Sequence, residues 1–135
     1  MEGDWLLPMI KVFEEKENVG VVGNVQKLAF SNRFDHMGVV FGPLGNPRHY
    51  GQWFKDRKFS GEVKKWSAVT AACCLLRRKD FIGVGGFDEV YINGCEDIDL
   101  CLRMGIEGFS HFLVHDSVVS HVRCASEGRL AFNKK

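Results

Sequence analysis

The chain has no apolar run approaching the ~20 residues that a bilayer crossing needs. Its opening, Met1-Glu2-Gly3-Asp4-Trp5, has neither the basic start nor the apolar stretch of a signal peptide. An excess of one charge is missing as well. With 18 Lys and Arg against 17 Asp and Glu, the net charge of +1 points to neither nucleic acid nor a membrane surface. The five cysteines, at positions 73, 74, 95, 101 and 124, are odd in number and contain no Cys-x-x-Cys pair. That argues against a disulfide framework or structural zinc and favours a reducing cytoplasm. Their simplest role is as small core residues. No internal repeat or linker divides the sequence. At 135 residues and 45% hydrophobic, residues 1–135 are read as one globular domain.

What is present begins with Asp4, placed to cap a helix starting at Trp5, with Leu6, Met9, Ile10 and Phe13 on one face. Pro8 lies early enough to be tolerated, and the helix is expected to end near Glu17-Asn18. Val19–Val25 is a short β-branched run that reads as a buried strand. Further strands are expected at Gln26–Phe30 and Met37–Phe41, the second closed by Gly42-Pro43. Ser67–Leu76, apolar on both faces, reads as the central strand. Thr70, Ala71 and Ala72 leave room there either for a ligand or for tight packing against a neighbour. Arg77–Asp80 opens a short helix through Phe81-Ile82 that stops at the glycines. Phe109–Leu113 and Val118–Val122 are expected as two more strands, and the tail from Cys124 as polar and partly mobile.

Between Gly42 and Gly61 there is no period. Around it Arg48, Lys55, Arg57, Lys58, Lys64 and Lys65 interleave with Tyr50, Trp53, Phe54, Phe59 and Trp66. Such interleaving suits single-stranded nucleic acid, and equally a surface loop over a ligand site. The neutral overall charge favours the loop and argues against nucleic acid.

The densest chemistry lies between Gly83 and Arg103. Gly83, Gly85 and Gly86 make a flexible turn, and Glu96, Asp97 and Asp99 then open a helix whose positive dipole end suits acids. At ~100° per residue, Ile98, Cys101, Leu102 and Gly105 form the apolar stripe. Asp99 and Arg103 are four apart and can pair. Asp97 projects beside Cys101 and Met104, at the margin of the stripe, with no cation at helical spacing. A carboxylate so placed suits a general base. The alternative is that all three acids are a helix cap and a solvated face. His121 ends the last strand, either as a structural residue or as a ligand beside a carboxylate cluster.

Taken together, Thr70–Arg78, Gly85-Gly86-Phe87-Asp88-Glu89, Glu96-Asp97-x-Asp99-Leu100-x-x-Arg103 and His121 resemble the second half of a family 2 glycosyltransferase. Gly3–Pro8 also resembles the helix after that family's Asp-x-Asp segment, so the resemblance spans nearly the whole chain. It implies an α/β fold, part of a GT-A-like (nucleotide-diphospho-sugar transferase) mixed sheet flanked by helices. It implies an inverting transferase with Asp97 as base and Glu96 beside it, a nucleotide-sugar donor and a carbohydrate or lipid-linked acceptor. Asp88 and Glu89 are expected near the acceptor, with Thr70, Ala71 and Trp66 also contacting substrate. His121 corresponds to a late histidine that in some members helps bind Mn²⁺ or Mg²⁺, or the diphosphate.

No Asp-x-Asp precedes Asp97. The chain is therefore expected to be an acceptor-side portion without the nucleotide-binding half: a gene fragment, a natural truncation or one half of a split enzyme. On its own it is expected to be inactive and to self-associate as a homodimer or larger assembly. It is placed in the cytoplasm or peripherally at the inner face of the membrane. Two other readings stay open: a non-catalytic self-associating module, and a metal-dependent phosphoesterase using Glu96, Asp97, Asp99 and His121.

Overall fold

A computed structural model describes residues 3–55, 61–92 and 94–122. In chain order the elements are α1 (Leu7–Glu15), β1 (Val19–Leu28), β2 (Phe34–His36), β3 (Val39–Phe41), β4 (Pro47–His49), β5 (Val63–Trp66), β6 (Cys74–Leu75), α2 (Arg78–Gly83), α3 (Glu96–Ile106) and β7 (Ser110–His121). The two long strands, β1 and β7, run parallel at the centre of a mixed sheet ordered β2-β1-β7-β5, with β6 also paired to β1. The β5, β2 and β6 pairings are antiparallel. A separate hairpin joins β3 to β4.

Helices cover both faces of this sheet. On one, Met9 and Val12 of α1 pack on Val19, Val22, Phe112 and Val114. On the other, Leu100, Cys101 and Met104 of α3 pack with Val21, Val25 and Leu113. Full burial of each such aliphatic side chain contributes about 1.5–3 kcal/mol, so this two-sided core fixes how α3 sits over the sheet. The architecture is an α/β mixed sheet with flanking helices, as expected.

Several local expectations are corrected. Val19–Val25 and Gln26–Phe30 are one strand, β1, which ends at Leu28. The strand expected at Met37–Phe41 is only β3, Val39–Phe41; a separate short strand, β2, ends at His36 before it, and Met37-Gly38 joins the two. Ser67–Leu76 is not a central strand; only Cys74 and Leu75 pair. Its apolar start instead covers β1 at close range, for a Cβ on Gly23 would lie 2.8 Å from Val69 Cβ. Covering the sheet demands the same apolar residues as lying within it, which is why composition misleads here. Phe109–Leu113 and Val118–Val122 merge into β7, where pairing jumps from Asn24–Val114 to Val25–Val118. The residues between form a bulge, and Ser117 Oγ within it donates to the Trp5 carbonyl at 2.6 Å.

The helix faces are also rotated. Asp4 Oδ1 does accept the N–H groups of Leu6 (3.1 Å) and Leu7 (3.0 Å), but the buried pair in α1 is Met9 and Val12, while Leu6 and Ile10 are exposed. In α3 the buried residues are Leu100, Cys101 and Met104, with Leu102 and Gly105 outside. At ~100° per residue that face is centred on the direction of Asp97. The segment after Gly42 is less open than its composition suggests. Phe54 O accepts from Phe34 N–H (2.9 Å), Trp53 N–H donates to Phe34 O (3.0 Å) and Tyr50 O accepts from Met37 N–H (3.0 Å), stitching residues 50–54 to the β2 edge. Arg57, Lys58, Phe59 and the tail with Cys124 lie outside the described residues.

Candidate functional site

The site is built where α3 begins. Gly94 (φ +129°) and Cys95 (φ +71°) turn the chain sharply into the helix. The turn lies two residues before Asp97, which then faces the covering segment 68–72. Asp97 is half-buried. Its Oδ2 accepts the Thr70 hydroxyl at 3.0 Å and the Ala71 N–H at 2.9 Å, and its Oδ1 accepts the Ile98 N–H at 2.8 Å. Thr70 and Ala71, expected at the substrate site, are thus brought to the expected base as hydrogen-bond donors. Glu96 stands beside it, with Oε2 buried and without a hydrogen-bond partner among the described residues.

Arg103 fixes the other side of this helix. It pairs with Asp99 at 2.8 Å, as the four-residue spacing predicts, and also donates to Val84 O (2.6 Å) and Gly86 O (2.7 Å). A guanidinium offers several donors in a rigid fork, so one side chain holds both the helix and the glycine turn. Beyond that turn, Asp88 Oδ1 accepts the Val90 N–H at 2.9 Å, and Asp88 and Glu89 are exposed. They are held in their own turn rather than tied to Asp97. Trp66 is placed by packing: its ring lies 5.3 Å from that of Tyr50, and a Cβ on Gly38 would strike it. Its indole N–H is buried without a partner among the described residues and makes no bond to the Asp97 cluster.

A second polar cluster adjoins the first, and sequence reasoning missed it. Asp35 in β2 is fully buried, and its Oδ2 accepts His121 Nδ1–H at 2.7 Å. Gln52 Nε2 reaches Asp35 Oδ1 at 3.5 Å, and His49 Nδ1 lies 3.2 Å from the Asp35 carbonyl. His36, next in the strand, is also fully buried and stands edge-on to His49, centroids 4.8 Å apart. Its Nε2 accepts the N–H groups of Gly38 (3.2 Å) and Thr70 (3.5 Å). The neutral ring therefore carries its proton on Nδ1. Burial, aided by the charges of His49 and His121, pushes the His36 imidazole down to about 3. The Asp35-His36 dipeptide thus links the two residues that the sequence singles out: His121 hangs on Asp35, and Thr70, which holds Asp97, hangs on His36. Two polar residues inside the apolar stretch Phe34–Met37 are the available signal, but their partners lie far away in sequence.

The resemblance places a metal at His121. Asp35 and His121 offer two ligands at most, and among the described residues no group of three or more His, Cys, Asp or Glu side chains converges. Mn²⁺ and Mg²⁺ take about six, mostly oxygen, ligands. The described residues alone do not fit such an ion, and no step is routed through one. The phosphoesterase reading loses its support on the same ground, since Glu96, Asp97, Asp99 and His121 do not converge: Asp99 is held by Arg103 and His121 by Asp35. The cysteines behave as core residues only in part. Cys101 is buried and Cys74 half-buried, whereas Cys95 is exposed. Burial pushes the Cys101 thiol up to about 12 and that of Cys74 up to about 11, which leaves both protonated at neutral pH.

No family model matches the chain. It is similar to parts of longer proteins. Over 142 residues it is 28% identical to the O-antigen biosynthesis protein RfbC of Myxococcus xanthus, covering 93% of this chain and 10% of that protein. Over 93 residues it is 31% identical to the N-acetylglucosaminyl-diphospho-decaprenol L-rhamnosyltransferase of Mycobacterium tuberculosis, covering 69% of this chain and 30% of that protein. Over 54 residues it is 44% identical to the rhamnosyltransferase WbbL of Escherichia coli, covering 40% and 20%. The chain therefore spans between 10 and 30% of the length of these relatives. At the family level they support a glycosyltransferase-like role. No helix among the described residues is long and apolar enough to cross a membrane.

Proposed function

We propose that this chain forms the acceptor side of an inverting, GT-A-type glycosyltransferase that moves a sugar from a nucleotide-sugar donor to an acceptor hydroxyl. The observation that carries the reading is the Asp97 carboxylate, half-buried at the start of α3 and oriented by the Thr70 hydroxyl and the Ala71 N–H. In the reaction the acceptor oxygen attacks the anomeric carbon while its proton passes to Asp97. The bond to the nucleoside diphosphate breaks on the opposite face, and the diphosphate leaves with the electron pair. Thr70 and Ala71 hold the base in one rotamer, which saves the ordering cost at the moment of reaction. The relatives named as rhamnosyltransferases favour a deoxyhexose donor, and the decaprenol in one of those names favours a lipid-linked acceptor. The donor's nucleotide, and any Mn²⁺ or Mg²⁺ that neutralises its diphosphate, belong on this reading chiefly to other parts of a longer protein.

A second reading is a non-catalytic, self-associating module. It draws on the exposed Ile82, Leu102 and Ile106 and on the edge position of β5. Titration calorimetry separates the two. The transferase reading predicts that addition of a donor-binding portion from a similar transferase produces nucleotide-sugar binding and transfer. Absence of both, with self-association in sedimentation velocity, would favour the inert module.

A further inference from the structure

At the end of the sheet where β1 and β7 stop, residues 28–33 form a tight turn. Leu28 N–H donates to Arg33 O at 3.0 Å, and Ser31 N–H to Leu28 O at 3.2 Å. Phe30 at its tip is fully exposed, with φ at +62°. Bulky residues rarely adopt that left-handed conformation, and the exposed ring gains no burial to offset it. The turn has exposed apolar neighbours on both sides. Ala29 N–H donates to His121 O at 2.9 Å, which sets the half-exposed Val122 beside it. On the other side Arg33 forms a bridge with Lys55 and donates from its guanidinium to Trp53 O at 2.8 Å. Trp53 also has a positive φ, +70°, and its ring and that of Phe54 are half-exposed.

One end of the sheet therefore presents Phe30, Trp53, Phe54 and Val122 to solvent, with the exposed cations Arg33 and Lys55 between them. The carboxylate of the adjoining strand, Asp35, is fully buried. Aromatic rings with interspersed cations match an anionic lipid surface: rings settle at the boundary of head groups and acyl chains, and cations at the phosphates. The rim is also continuous with the Asp35–His121 pair, because His121 and Ala29 share a backbone hydrogen bond.

We propose that this end of the sheet docks on the surface of an anionic lipid bilayer, with Phe30 entering below the head groups and Arg33 and Lys55 held at their phosphates. The proposal deepens the transferase reading and rests on it for the sense of the contact, since a lipid-linked acceptor would be met at that surface. The test is cosedimentation of the full chain with vesicles of phosphatidylglycerol and phosphatidylcholine, and with vesicles of phosphatidylcholine alone. The chain should bind the anionic vesicles and lose roughly tenfold or more in affinity on the neutral ones. Phe30→Ser should lower binding to anionic vesicles by about tenfold without moving the thermal midpoint, because the ring is exposed. Trp53→Ser should act in the same direction.

Failure to bind anionic vesicles, or equal binding by Phe30→Ser, would overturn the proposal. So would a Phe30→Ser variant that breaks up an assembly of copies while vesicle binding persists, for the turn would then be a protein contact. Vesicle binding is read without sugar or nucleotide. Loss of the transferase reading and loss of the docking surface therefore show up in different measurements.

Discussion

Asp97 and Asp35 are both hydrogen-bonded carboxylates, linked to each other through His36 and Thr70, yet they are held in opposite ways. Asp97 is half-buried, and its partners are one hydroxyl and two backbone N–H groups. Asp35 is fully buried and its partners include the side chains of His121 and Gln52. The first takes its bonds from the covering segment and from its own helix. The second is itself fully enclosed, and altering it removes the acceptor of the partly buried His121 and Gln52 side chains. The contrast separates a group placed for chemistry from one placed for support.

The largest expected effect comes from breaking the buried side. Asp35→Ala should lower the unfolding free energy by about 3 kcal/mol, because it strands donors that the carboxylate now satisfies. Urea denaturation checks this, and a loss below about 1 kcal/mol would erase the contrast with Asp97. Next is the clamp on α3. Arg103→Lys keeps the charge but cannot reach Asp99, Val84 O and Gly86 O together, and should cost about 1.5–3 kcal/mol. Hydrogen exchange should speed up first at the glycine turn; uniform acceleration across the sheet would mean that Arg103 supports the whole fold instead.

A pH series sharpens the comparison further. The His36 imidazole is held at about 3 in the fold against 6.5 in an unfolded chain. Below pH 6.5 the unfolded state binds a proton that the folded state refuses. Stability from this group is therefore present above that pH and falls on acidification, by up to about 1.4 kcal/mol per pH unit. His111, also pushed down by burial, adds in the same direction. His36→Gln should flatten the slope between about pH 6 and pH 4 by close to one proton; an unchanged slope would place the effect elsewhere. The smallest change is Thr70→Val, expected to cost about 1 kcal/mol as one hydrogen bond to the half-buried Asp97 is lost.

How much of this is legible in the sequence follows the same division. The start of α3, the Asp99–Arg103 pair and the short α2 depend on residues within a few positions of one another, and local pattern reveals them. The first helix is shifted: it runs Leu7–Glu15 with Leu6 at its N-cap instead of starting at Trp5, and Asp4 holds the turn that leads into it. The place of Asp97 beside Cys101 and Met104 is also legible, but not that it lies at the centre of the buried face rather than at its margin, because that face is Leu100, Cys101 and Met104 and not Ile98, Cys101, Leu102 and Gly105. Ser67–Leu76 misleads because an apolar segment lying over a sheet and one lying inside it obey the same solvent preference. The bulge that makes β7 one strand looks like a turn in sequence. Asp35 and His36 show only as two polar residues in an apolar stretch, and the partners that tie them to His121 and Thr70 are 86 and 34 residues away.

The central claim, that Asp97 takes the acceptor proton, is tested most directly by Asp97→Asn in an enzyme reconstituted with a donor-binding portion. The amide keeps the shape, and its oxygen can still accept the Thr70 and Ala71 hydrogen bonds, but its NH2 group then faces the Ile98 N–H in place of an acceptor, and it cannot take up a proton. Turnover should fall by about 10²–10⁴-fold, the usual contribution of a general base, while the unfolding free energy drops only by about 1 kcal/mol for the lost Ile98 bond. Undiminished turnover in a folded Asp97→Asn variant would contradict the account.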